Sequence, residues 1–230
     1  MTHLVVEPLK AVEVDDFIRL QWKAFATPEA EILTPMIWTG ELTPGLLERF
    51  RLNLLRQYEG RNIGDFCFRA IDSSTGETVA IAKWDVEEQP AVTKEDVDEE
   101  VECCRQKWRA YPPVGDRNAA MHEAVMSAMA YSEWRTMRAI APGQPYLNLQ
   151  TLATHPKHER KGAGGLLLRH GLDRLAAPKH LPVFLTAALR GKDLYKKHGF
   201  LEKDAVPFDA RLYGGRSEGR HWCMVRPARP

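Results

Sequence analysis

The sequence predicts an α/β chain of the α+β kind, a mixed, mostly antiparallel sheet of six or seven strands flanked by helices and carrying a helical insertion. Three observations lead there. Phe66 to Ile71 and Thr78 to Trp84 are β-rich runs joined by Asp72-Ser-Ser-Thr-Gly-Glu77, whose small polar residues and Gly76 suit a hairpin turn. Leu147 to Leu175 passes from an apolar strand through a basic, glycine-rich turn into an amphipathic helix. Pro182 to Leu189 is a short apolar run suited to a buried strand, and a short helix and two more strands follow it.

The elements follow in order. Val5 and Val6 suit a first strand, and Val14, Phe17, Ile18 and Phe25 recur at helical spacing behind Asp15 and Asp16, acids that favour a helix start. Residues 27 to 45 hold Pro28, Pro35, Gly40, Pro44 and Gly45 and read as a connection, followed by a helix with Leu47, Phe50 and Leu54 on one side that ends near Gly60. After the hairpin, Asp85 to Glu102 carries nine carboxylates against one lysine. This block reads as a solvated, partly mobile face or lid, or as a means of drawing in a cationic substrate. A helix then begins near Arg117, with Met121, Ala124, Val125 and Ala128 on one face. Residues 86–145 are read as an insertion bordering the active cleft, between the third and fourth strands of a single domain over 1–230.

The fourth strand places Leu147, Leu149, Leu152 and Ala153 in extended chain, and Pro156 ends it. In the helix beyond the turn, Leu168, Gly171, Leu172 and Leu175 share a face. A short helix over Gly191 to His198 stops at Gly199, and Phe200 to Val206 and Arg220 to Val225 complete the strands.

With 230 residues the chain can bury a sizeable core. Its 32 basic and 31 acidic residues leave a net charge of +1, which points away from nucleic acid and anionic membrane as partners. Cys67, Cys103, Cys104 and Cys223 lack C-x-x-C spacing, which favours reduced thiols over disulfides or zinc. The N-terminus carries no signal-like or spanning apolar run, so a cytoplasmic protein is expected.

The strand, cationic turn and helix start make an anion site, because free backbone amides and the positive end of the helix dipole meet there. A P-loop needs Gly-Lys-Ser/Thr at its end, whereas here Lys161 precedes Gly162 and leucines follow Gly165. A dinucleotide fingerprint needs a third glycine three residues past the second, and this turn lacks it.

Glu159-Arg160-Lys161-Gly162-Ala163-Gly164, preceded by Leu152-Ala153-Thr154-His155-Pro156, resembles the central motif Gln/Arg-x-x-Gly-x-Gly/Ala of the GCN5-related N-acetyltransferase (GNAT) family. Gly191-Lys-Asp-Leu194-Tyr195-Lys-Lys-His-Gly199-Phe200 resembles that family's short helix, Leu-Tyr-x-x-x-Gly-Phe. Glu159 stands where the family has Gln or Arg. Ala188 replaces an asparagine often found three residues before Gly191, so that Arg190 or Lys192 supplies phosphate contacts instead.

The resemblance implies the GNAT fold and acetyl transfer from acetyl-CoA, the cosubstrate, to a primary amine on a small molecule or peptide. Attack is direct, with no covalent enzyme intermediate and no metal. It implies that the pyrophosphate lies on the amides of Arg160 to Gly165 (Arg160, Lys161, Gly162, Ala163, Gly164, Gly165). The pantetheine arm pairs with the backbone of Leu152, Ala153 and Thr154, and an amide there meets the developing oxyanion. Tyr195, a phenol of pKa about 10 in model peptides, matches the position that protonates the departing thiolate. A strand carboxylate serves some members as base, at a position that falls here on Asn148, which cannot take a proton. Asp85, Glu87, His122 or a chain of waters remain as candidates. A non-catalytic acyl-CoA-binding regulatory module is the alternative that Asn148 favours. His155-x-x-His158 reads as a solvated pair lacking a third ligand. Trp22, Trp38, Trp84 and Trp108 read as core and cleft wall, or as the lining of an acceptor pocket.

Overall fold

The computed structural model describes residues 3–26, 41–88, 93–109, 119–213 and 218–228. They divide into two compact units. One contains 1–27, 40–85 and 149–179, the other 28–39, 86–148 and 180–230, and two strands run from one unit into the other.

In the first unit, β1 (Leu4–Pro8), β2 (Cys67–Asp72), β3 (Glu77–Glu87) and the latter part of β4 (Tyr146–Thr154) lie in that order. β1 and β2 are antiparallel, with Val6 opposite Ala70, as are β2 and β3, with Phe68 opposite Ala82. The hairpin turn forms where the small polar residues predict it. The Asp72 carboxylate accepts from the Ser74 amide at 3.0 Å, and Gly76 takes φ +73. Helix α1 (Val14–Phe25) buries Val14, Phe17 and Ile18 against Leu47 and Leu54 of α2 (Pro44–Gln57), and Tyr58, Cys67, Ile81 and Ala153 complete this core. Burial of such side chains, about 1.5–3 kcal/mol each, holds the unit together.

Helix α2 starts earlier than the sequence suggests. Pro44 and Gly45 open the helix instead of ending a connection, because proline at the first position gives up an amide that has no partner there anyway. Thr43 caps it by accepting from the Leu46 amide at 3.3 Å. The rest of the expected connection, 27–40, lies outside the described residues. Helix α5 (Ala163–Gly171), continued by a π-helical turn over Leu172–Ala176, buries Leu168, Gly171 and Leu172, while Leu175 is only half-buried.

The second unit contains α3 (Lys94–Arg109), α4 (Ala119–Ile140), the first residues of β4, then β5 (Val183–Ala187), α6 (Leu189–Lys197), β6 (Leu201–Asp209) and β7 (Glu218–Arg226). Beside the start of β4 the order runs β5, β7, β6; the Leu147 amide donates to the Pro182 carbonyl at 3.0 Å. β7 is antiparallel to both neighbours, with Leu185 opposite Met224 and Val206 opposite His221. Met137 of α4 packs with Tyr146, Phe184, Val206, Cys223 and Val225. The seven strands form an open, mostly antiparallel sheet flanked by helices, as the sequence predicts.

From Lys94 onward the acidic block is helical, with Val97 and Val101 buried and the carboxylates on the other faces. Thr93 and Asp96 cap each other reciprocally, the Asp96 amide donating to Thr93 Oγ1 at 3.2 Å and the Thr93 amide to Asp96 Oδ2 at 2.8 Å. Lys94 pairs with Asp98 one turn on, at 2.7 Å. Among the described residues, no helix is long and apolar enough to cross a membrane. No group of His, Cys, Asp or Glu among them is placed to hold a metal.

Candidate functional site

The glycine-rich turn of the first unit is built by backbone conformation. β4 ends with the His155 amide on the Val79 carbonyl at 2.8 Å, and Pro156 then forces a short 3-10 turn, in which His155 Nδ1 accepts from the Lys157 amide at 3.3 Å. Arg160 follows at φ +62 and Gly162 at φ +91, both left-handed. Only glycine adopts this region without strain. The chain reverses there and enters α5 at Ala163. Gly162 is the cap and has no side chain to accept from the first amides; Leu166 is the first to bond back, its amide reaching the Gly162 carbonyl at 3.0 Å.

Among the described residues, no side chain caps the early amides of α5, which lie at the positive end of the dipole. Nothing lies within 4 Å of the place a Gly162 side chain would fill. Arg160 and Lys161 are exposed beside it, with the Lys161 ammonium resting on the Lys157 carbonyl at 2.9 Å. A diphosphate group fits this turn: open space, unclaimed amides and two cations. Glu159 is half-buried at its entrance. On β4, Ala153 is sunk in the core, while Leu152 and Thr154 are half-buried.

Tyr195, Arg190 and Lys192 lie in the second unit, on α6. Tyr195 is buried and meets Phe200 edge-on at 5.8 Å. Gly191 leaves room for its ring, since a Cβ there would come within 2.9 Å of Tyr195 Cε2. Burial pushes the phenol's pKa well up, so it keeps its proton at neutral pH. Arg190 is exposed in the first turn of α6. The Lys192 ammonium lies 2.7 Å from Glu202 and 4.0 Å above the Trp222 ring, so in this arrangement its charge is engaged within the unit.

The expected base candidates separate clearly. Asp85 accepts from Arg61 at 2.9 Å and from Gln57 at 2.9 Å. Glu87 is half-buried at the end of β3, and the side chain of His122 lies outside the described residues. Asn148 donates from Nδ2 to Glu133 Oε1 at 2.7 Å, and the Tyr146 hydroxyl donates to the same oxygen at 2.8 Å. Glu133, on α4, is a residue that sequence reasoning missed, because no motif spacing connects it to β4. Burial raises its pKa to about 7, with repulsion from Glu87 and Glu100 adding to the rise and the two hydrogen bonds opposing it.

Of the tryptophans, Trp22 and Trp84 are buried, Trp22 against Phe50 at 6.1 Å and Trp84 against Gly171. Trp38 and the side chain of Trp108 lie outside the described residues. His155 and His158 sit edge to face at 5.7 Å, and His158 Nε2 is 3.4 Å from Glu77.

The model of the Acetyltransferase (GNAT) family matches residues 78–200. A search of curated proteins finds no match. Among solved structures, the chain is similar to a Drosophila melanogaster polyamine N-acetyltransferase that forms N-acetylagmatine, with 17% identity and a TM-score of 0.67 over 98% of this chain and 100% of that one. It is similar to a mosquito arylalkylamine N-acetyltransferase-like 5b, with 15% identity and a TM-score of 0.68 over 98% and 100%. Corynebacterium glutamicum contributes a third, a histone acetyltransferase HPA2 and related acetyltransferase, with 22% identity and a TM-score of 0.60 over 100% and 99%. At these identities, the structures share a fold with this chain.

Proposed function

The chain belongs to the acetyltransferase (GNAT) family, and on that premise we propose that it transfers an acetyl group from acetyl-CoA to a primary amine by direct attack. The observation that carries this reading is the left-handed turn at Arg160 and Gly162, which opens the N-terminus of α5 to a diphosphate. Acetyl-CoA supplies an acyl group activated as a thioester. The amides of Arg160 to Gly165 would hold its pyrophosphate, with the Arg160 and Lys161 side chains balancing the charge.

The backbone of Leu152, Ala153 and Thr154 would hold the pantetheine arm as a further strand holds its neighbour. Arg190 extends the cationic surface of α6, and Tyr195, protonated at neutral pH, would hydrogen-bond to the departing sulfur and pass it a proton as the thiolate forms. The solved relatives named for polyamine, agmatine and arylalkylamine support a small amine as acceptor.

Thiol release from acetyl-CoA, followed across a panel of small primary amines, tests the reading. Amine-dependent release is expected, together with a rise in melting temperature on adding CoA. Stabilisation by CoA with no release on any amine would overturn it in favour of a non-catalytic acyl-CoA-binding module.

A further inference from the structure

An alkyl amine is an ammonium ion at neutral pH, with a pKa near that of lysine, about 10.4. It must lose a proton before its nitrogen can attack a thioester. Asn148 on β4 cannot take that proton, yet its amide leads directly to a group that can, Glu133 Oε1 at 2.7 Å. Tyr146, two residues earlier on the same face of the strand, donates to the same oxygen. Both donors thus fall on Oε1. No protein hydrogen bond to Oε2 occurs among the described residues. One oxygen is held by two donors, which fixes the orientation of the carboxylate and leaves the second oxygen as the one that can take a proton.

Resting on the acetyl-transfer reading above, we propose that Glu133 is the proton acceptor for the amine, with Asn148 and Tyr146 as the residues that position it. R–NH3⁺ gives one proton to the Glu133 carboxylate, leaving R–NH2 and a neutral carboxyl group. The nitrogen lone pair then forms the C–N bond while the C–S pair leaves with sulfur. The second proton shed by nitrogen ends on sulfur, giving the amide and a free thiol, and the proton held by Glu133 returns to solvent.

The charged surroundings suit the role. Glu87 at the end of β3 and Glu100 on α3 both repel the charged form of Glu133. On β4 the only titratable group facing it is Tyr146, whose own pKa burial and Glu133 raise. β5 carries no titratable side chain, and β7 contributes His221, whose pKa burial lowers to about 4 so that it is neutral, and Cys223, whose thiol burial pushes up to about 11. On β6, Asp204 is occupied by Arg135 at 2.9 Å. The pKa of about 7 that results keeps a useful fraction of Glu133 ionised at neutral pH. Three carboxylates close enough to repel one another also favour an acceptor that is cationic.

Glu133→Gln and Asn148→Asp test the assignment by two readouts, the pH profile of thiol release and the infrared band of a protonated carboxyl group in the unloaded protein. In the wild type, kcat/KM should rise with pH through a limb near 7, and the band should titrate with the same midpoint. Glu133→Gln should lower kcat/KM by about 10²–10⁴-fold and abolish both the limb and the band, while CoA still raises the melting temperature. Asn148→Asp sets a second carboxylate at hydrogen-bond distance, so its limb should move upward, a result that stands even if the first variant fails to fold. An unchanged limb in either variant, or a wild type with no titrating band, overturns the proposal. A wild type that releases no thiol with any amine overturns the acetyl-transfer reading first.

Discussion

Gly171→Ala is expected to destabilise the protein, and the size of the effect follows from one contact. A Cβ on Gly171 would lie 2.3 Å from both Cε2 and Cζ2 of Trp84 and 2.6 Å from its Nε1. Carbon atoms rest at about 3.5–4.0 Å, so the ring or the helix must move by more than an ångström. Trp84 has no exposed surface, and its carbonyl is fixed by the Tyr58 hydroxyl at 2.7 Å, so the ring has little freedom to yield. Overpacking of this kind costs about 3 kcal/mol, the upper end of the usual range. Alanine recovers about 1 kcal/mol over glycine in a helix, leaving about 2 kcal/mol of net loss. For a chain of this size that is a fall in melting temperature of about 4–8 °C. Gly45→Ala is the control: nothing lies within 4 Å of its Cβ position, so stability should hold or rise by up to about 1 kcal/mol. Differential scanning calorimetry on both variants decides the matter. A Gly171→Ala protein melting at or above the wild-type temperature would refute the close-packing argument.

Gly162→Ala meets no neighbour but must hold φ +91, a strain of about 1–3 kcal/mol; it should lower the melting temperature and weaken CoA binding by calorimetric titration. Equal CoA affinity would show that the turn's conformation does not matter to the ligand. Tyr195→Phe keeps the packed ring and removes only the proton, so kcat should fall by at least about tenfold with the KM for acetyl-CoA unchanged; an unaltered kcat would remove Tyr195 as the donor. Glu133 also predicts a pH dependence of stability. Its pKa is raised from 4.5 to about 7, so between those values the native state holds a proton the unfolded chain has released, and stability declines as pH rises through that window. At pH 8, Glu133→Gln should be more stable than the wild type by at most about 3 kcal/mol, and below pH 4 the two should match, as urea titrations can show. A variant less stable at pH 8 would mean that the carboxylate is not penalised by burial.

Much of the fold is legible because it depends on local chemistry. The hairpin follows from Asp72, Ser74 and Gly76, and the turn into α5 from Gly162, a residue chosen for its backbone and not for a partner. One misreading has a local cause. Pro44 reads as a breaker unless Thr43 is recognised as the cap before it. The acidic block reads from its charge as a solvated face or lid, and the helix that carries it is signalled by Thr93-x-x-Asp96 as a cap and by Val97 and Val101 four residues apart. Contacts made by tertiary folding left no such trace. Lys192 faces Glu202 and Trp222, and Glu133 meets Tyr146 and Asn148 from a separate helix.

Asn148 shows why a side chain can mislead when it is taken alone. As a single letter, it is an absent carboxylate on the strand. Beside Glu133 the amide is the better choice. An aspartate there would place two carboxylates within hydrogen-bond distance, and they could not both ionise; they would share one proton and titrate as a pair. An asparagine donates to Oε1, lowers the cost of the Glu133 charge, and leaves Oε2 free of it. The pair therefore places one ionisable oxygen at β4 while spending only one buried charge, with the strand providing the orientation and α4 the acid.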